Sequence, residues 1–126
     1  MKLFLALAAT LSLVSCASIA PPAPQGSVDH VVLLWLKRPG NTTDRQTVLA
    51  ASDELRMIPG LRFLDAGTPL ASDRPIVDDS FDIGLTMRFD SVDALRAYET
   101  HPLHVKKVTD VLKPLSRKIQ VYDIRR

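Results

Sequence analysis

The clearest signal in the chain is a strict alternation. From Ser80 to Asp90, SFDIGLTMRFD, the residues Phe81, Ile83, Leu85, Met87 and Phe89 alternate with Asp82, Gly84, Thr86 and Arg88, the period of a strand with one core face and one polar face. Asp29 to Lys37, DHVVLLWLK, is apolar at nearly every position and too short for a helix. It reads as a strand with His30, Val32, Leu34 and Leu36 on one face and Val31, Leu33 and Trp35 on the other, so both faces need cover. Leu61 to Gly67, LRFLDAG, and Lys118 to Ile124, KIQVYDI, are shorter strand patterns.

Helical spacing fills the intervals. Val48, Ala51, Ser52, Leu55 and Ile58 share a face, behind a capping-box spacing from Thr43 to Gln46 and ahead of Pro59-Gly60, so a helix is expected between them. Ser91 caps a second helix with Val92, Leu95 and Tyr98 on one side. A third opens at Pro102, since proline fits a first turn, and carries Val105, Val108, Val111, Leu112 and Leu115 until Pro114 interrupts it. Thr68 to Asp79 is a polar connection with two prolines, long for so small a domain, and is read as a mobile excursion rather than a lid.

The order strand, helix, strand, strand, helix pair, strand predicts an α+β, ferredoxin-like fold: a four-stranded antiparallel sheet with helices on one face. The first strand is apolar on both sides, so the bare face also needs covering. A second copy of the same sheet is the simplest cover, which predicts a homodimer through the sheet face.

Composition adds a front end. Residues 1–15 hold Lys2 and the apolar run LFLALAATLSLV, too short to span a bilayer and built like a signal peptide. Leu13-Val14-Ser15-Cys16 resembles the lipobox of bacterial lipoproteins. That resemblance implies cleavage before Cys16, acylation of its thiol and amine with palmitate-like chains, and a membrane anchor facing the periplasm or cell exterior. Cys16 is the only cysteine, so the fold has no internal disulfide. Residues 16–27, with three prolines within four positions, form a tether of at most ~34 Å in polyproline geometry, and residues 28–126 form the domain. Loss of the leader removes one basic and no acidic residue, leaving 15 basic against 14 acidic. So even a balance, with no arginine-aromatic stripe, argues against nucleic acid as partner.

Candidate chemistry gathers in Ser91 to Leu115, which holds Tyr98, His101 and His104. An imidazole titrates near neutrality, which makes His104 a candidate general base. Tyr98 is a neutral donor able to hold a developing oxyanion, and Asp123 is a candidate to orient an imidazole. The plainer alternative makes His-Pro-x-His a helix start: His101 caps, Pro102 initiates, and His104 bonds a strand carbonyl. Three histidines raise zinc, but His101 precedes the proline and no carboxylate shell is evident, so no metal or cofactor is expected. Arg88, on the polar face of the third strand, is expected to pair with Asp82 of the symmetry-related strand rather than to meet an acidic ligand inside the barrel.

His30-Val-Val-Leu-Leu, Ile58-Pro-Gly-Leu, Phe81-Asp-Ile-Gly-Leu, Phe89-Asp-Ser and Tyr98-Glu-Thr-His-Pro-Leu-His, in this order, resemble the stress-responsive A/B barrel (Dabb) domain over Val28 to Ile124. The resemblance implies a dimeric α/β barrel. Olivetolic acid cyclase, an enzyme of that family, is similar around Tyr98 and His104. In it the matching residues carry an aldol-type cyclisation, with the match to His30 in the same pocket and an aspartate at the position of Asp123. By this resemblance Tyr98 and His104 are the catalytic candidates, and His30, His101 and Asp123 the ligand-binding ones. The export signal and the different loop at Thr68 to Asp79 depart from the cyclase. Three functions follow: binding of a small apolar or aromatic ligand, a cofactor-independent aldol, cyclase or isomerase enzyme, or a purely structural dimer.

Overall fold

The computed structural model describes residues 24–126; the expected leader, Cys16 and the tether before Pro24 lie outside the described residues. Four strands form one antiparallel sheet: β1 (Val28–Leu36), β2 (Leu61–Gly67), β3 (Ile83–Phe89) and β4 (Ser116–Arg125), in the order β2-β3-β1-β4. The apolar β1 takes a central position, where it pairs with both β3 and β4. The fold is ferredoxin-like.

Helix α1 (Thr42–Glu54) runs on through a 3-10 turn at Leu55–Met57. Its cap is Asn41 rather than Thr43, because the Asn41 side chain accepts the Asp44 amide at 2.9 Å. The capping-box spacing pointed two residues too far along, where Thr43 already lies inside the helix. Val48, Ala51, Ser52, Leu55 and Ile58 are buried as one face. Gly60 then turns the chain at φ +87, and a Cβ there would sit 3.2 Å from that of Ala94, so glycine meets both demands.

Helix α2 (Val92–Glu99) is capped by Ser91, which accepts the Ala94 amide at 3.1 Å, and buries Leu95 and Tyr98. Helix α3 (Pro102–Lys107) follows from His101. Over Val108–Leu112 the helix widens into a π turn, in which the Lys113 N–H reaches the Val108 carbonyl five residues back, before a last turn at Lys113–Leu115. A proline at 114 has no N–H and crowds the carbonyl four residues earlier, so a wider turn ahead of it relieves both problems. The apolar stripe is looser than its spacing implied: Leu112 is buried but Val105 is 49% exposed.

The core lies between the helices and one sheet face, with Leu34, Leu36, Val48, Ile83 and Phe89 fully inaccessible. Two readings of the third strand change. The strand begins at Ile83, and Phe81, ahead of it, packs edge-on against Trp35 on the opposite face. Asp82 is buried, accepting the backbone amides of Leu36 at 2.8 Å and Gly40 at 2.7 Å. It is therefore not available for an Arg88 across a two-fold axis. Arg88 instead donates to Asp29 in the same chain at 2.6 Å, its direct neighbour in the β1–β3 register, and with Arg126 holds that carboxyl below the usual aspartate range.

The bare face carries Val31, Leu33, Phe63, Tyr122 and Ile124, the last three about half exposed. The loop 68–79 is tied by the Ser72 amide to Asp79 at 2.9 Å. None of its residues lines the cavity described next.

Candidate functional site

β1 and β4 place His30 directly opposite Asp123. The His30 ring is buried, and its Nδ1 meets Asp123 Oδ1 at 2.6 Å. A carboxylate only accepts, so the proton of that bond belongs to the imidazole, and Nε2 has no hydrogen-bond partner among the described residues. On the other side His30 faces Met87 in the register, whose sulfur accepts the Tyr98 hydroxyl at 3.4 Å. A thioether is a weak acceptor, so this phenol keeps its capacity to donate to an arriving oxygen. Burial pushes the Tyr98 pKa well up, with the nearby Glu99 charge adding to it, so the group stays a neutral donor at all ordinary pH.

His104 comes from the first turn of α3. Its ring lies 4.4 Å from that of Tyr98, and its Nδ1 is 2.9 Å from the carbonyl oxygen of Glu99. A carbonyl can only accept, so the neutral ring carries its proton on Nδ1 and its lone pair on Nε2. Burial lowers the His104 pKa, outweighing the bond to Glu99, and the neighbouring His30 pushes the same way. The ring is thus a free base at neutral pH, the form that removes a proton. The expected carbonyl is found, but on the last residue of α2 rather than on a strand.

His101 is not brought to this group. Its Nδ1 accepts the Leu103 amide at 3.2 Å as the cap of α3, and it does not line the cavity. The helix-start reading therefore holds for His101, while His104, three residues on, is carried by that helix to the sheet. The ring of Phe89, 4.9 Å from Tyr98 and 6.2 Å from His30, closes the back of the group.

Between these side chains and the helix ends lies a cavity of about 460 Å³. Tyr98, His30, His104, Asp123, Glu99 and Lys113 provide its polar groups, and residues such as Val32, Leu85, Val108, Leu112, Ile119 and Val121 its apolar wall. That volume is the size of a small-ligand pocket. Met87, Phe89 and the π-turn residues Val108 and Leu112 were not picked out from the sequence as site residues. Met87 had a signal in the strand alternation, which put it on the face of His30. The π turn had only Pro114.

The family model of the stress responsive A/B barrel domain, Dabb, matches residues 28–125. The chain belongs to this family. No curated protein matches it. Among solved structures, a Dabb family protein with a ferredoxin-like fold from Mesorhizobium loti is 26% identical with a TM-score of 0.67, over 81% of this chain and 98% of that one. A dimeric ferredoxin-like protein of unknown function from Bacteroides fragilis is 23% identical with a TM-score of 0.62, over 81% and 98%. The hydroxynitrile lyase of Passiflora edulis is 20% identical with a TM-score of 0.71, over 82% and 95%. The Dabb fold thus includes an enzyme as well as proteins of unknown function.

Proposed function

We propose that this Dabb protein is exported, anchored to the envelope membrane through acylated Cys16, and dimeric through its bare sheet face, and that each subunit binds a small apolar or aromatic ligand in the cavity beside Tyr98. The cavity carries the reading. It is walled mainly by aliphatic side chains, and His30, Asp123, Tyr98 and His104 converge on it, which is how small-molecule sites combine affinity with orientation. The dimer is supported by the half-exposed Phe63, Tyr122 and Ile124 on the bare face and by similar proteins described as dimeric.

Titration calorimetry with a panel of aromatic aldehydes, ketones and phenols tests the pocket. Saturable binding to the wild type that disappears in Val121→Trp, which fills the cavity from the sheet edge, supports it. No binding across the panel, or equal binding to both proteins, refutes it. Radiolabelled palmitate should enter the wild type and not Cys16→Ala. A domain from Val28 onward that sediments as a monomer at micromolar concentration would end the dimer reading.

A second reading is favoured by the His30–Asp123 bond and the tautomer of His104: a cofactor-independent proton-transfer enzyme of aldol, cyclase or isomerase type. His104 Nε2 takes the proton, and Tyr98 steadies the oxygen that gains charge. The hydroxynitrile lyase activity found on this fold supports such chemistry in general terms. Turnover of a carbonyl substrate that is unchanged in both His104→Ala and Tyr98→Phe would remove these residues from the mechanism.

A further inference from the structure

The cavity does not end at the imidazoles. A second groove of about 280 Å³ lies beside it, lined by Val28, Val92, Leu95, Arg96 and Arg125, and it shares Glu99 and Asp123 with the cavity. The shared pair sets the groove against the cavity, and the groove's lining reaches Val28, the first residue of β1.

Val28 is also where the fold meets the N-terminal chain. The Gly26 amide donates to the Arg126 carbonyl at 2.8 Å, and the Arg126 amide donates to the Ser27 carbonyl at 2.9 Å, so the span from the anchor to the fold is only residues 16–25. Ten residues reach at most ~31 Å in polyproline geometry, about the ~30 Å length of the nine residues of β1. An anchor at Cys16 therefore holds the Val28 end of the domain within ~31 Å of the lipid, whereas the Leu36 end, with the loop 68–79, can lie about twice as far away. Most of the charge near this groove is balanced: Arg62 bonds Asp90, Arg126 bonds Asp29, and Arg96 lies 3.7 Å from Asp93, while Arg125 has no salt bridge among the described residues.

We infer that groove and cavity form one passage whose mouth, at Val28, opens onto the membrane surface, and that its ligand is a single-chain amphiphile drawn from the bilayer, tail first. The inference rests on the pocket and the anchor proposed above. Along β4 the wall runs inward from Asp123, opposite His30, through Val121, opposite Val32, to Ile119, opposite Leu34. Those four residue steps cover ~13 Å, aliphatic along β4 beyond Asp123, with Lys113 of the covering helix also in the cavity lining. A hydrocarbon tail occupies that stretch and leaves its oxygen-bearing head beside His30, Tyr98 and His104. A cavity of this volume holds one small molecule.

The test uses the full lipidated chain in vesicles. With Cys16 acylated, an added cysteine is the only free thiol, so bimane is attached at Arg96→Cys, at the mouth, or at Arg38→Cys, at the far end. In vesicles carrying nitroxide-headgroup lipid, most of the emission at position 96 should be lost and that at position 38 retained, in low and high salt alike. Equal quenching, or stronger quenching at 38, overturns the orientation.

Dansylundecanoic acid dissolved in the same vesicles reads the ligand. Its emission should rise with the wild type and not with Val121→Trp. A long Gly-Ser insertion after Pro22 should slow uptake from vesicles while leaving uptake from detergent solution unchanged. Uptake from vesicles at the same rate with the insertion overturns the membrane supply route while leaving the pocket standing. No response from vesicles or from detergent solution removes the pocket reading itself.

Discussion

The helix-covered face of the sheet has two halves that are closed in different ways. Over β2 and β3, α1 lies close, because Ala51 and Ser52 face the sheet and Ser52 spends its hydroxyl on the Val48 carbonyl at 2.8 Å. Val48, Ile58, Leu64 and Ile83 are all nearly inaccessible there. Over β1 and β4 the cover is a helix restarted at Pro102 and widened ahead of Pro114, and Val121 beneath it is 41% exposed. Both halves are rich in aliphatic residues. The void beside Tyr98 thus comes from the backbone punctuation of the covering helices rather than from a shortage of apolar side chains.

Truncating the core tests this contrast most strongly. Leu64→Ala, on the closed half, should cost about 2–5 kcal/mol in urea unfolding, because the cavity it leaves has no room to relax. Val108→Ala should cost about 1 kcal/mol or less, since its methyls already border empty space. Equal losses at the two positions would mean that the halves are packed alike.

A smaller effect tests what holds α1 in place. Asn41→Ala should lower stability by about 1 kcal/mol, while Thr43→Ala should leave it nearly unchanged, both measured by thermal melting. The reverse ranking would restore Thr43 as the cap.

The smallest effect lies on the open half and depends on pH. His104 has its pKa lowered in the folded state, so the unfolded chain binds the proton more readily. The contribution of this residue to stability is full above the unfolded value of about 6.5 and is lost as pH falls through the lower folded value. Unfolding followed between pH 7 and pH 5 should show this slope in the wild type and a shallower one in His104→Gln. An identical slope in both proteins would place the titration elsewhere.

Much of the fold was legible in short-range pattern. The alternation of Ile83, Leu85, Met87 and Phe89, the Ser91 cap and the Pro102 start all report local rules, and the structure keeps them. The strand patterns also gave the side-chain faces correctly along β1. The misreadings cluster where a local rule met a tertiary demand. Phe81 fits the alternation, yet it lies before the strand and turns to cover Trp35. Asp82 fits a polar face, yet two backbone amides at the end of β1 need an acceptor and take it. Arg88 was assigned a partner in another subunit because nothing in the spacing reveals that β1 and β3 put Asp29 beside it.

The candidate site divides in the same way. That Tyr98 and His104 stand near one another follows from their spacing around a helix start, and the sequence alone determined that much, together with the order of strands and helices. These depend on propensity, period and capping, which act over a few residues. Only the tertiary structure decided that His30 meets Asp123, 93 residues away, that the His104 proton sits on Nδ1, and that His101 is used up as a cap. It also decided that the space beside Tyr98 stays open, because a cavity is a property of how two surfaces fail to meet, and neither surface encodes it alone.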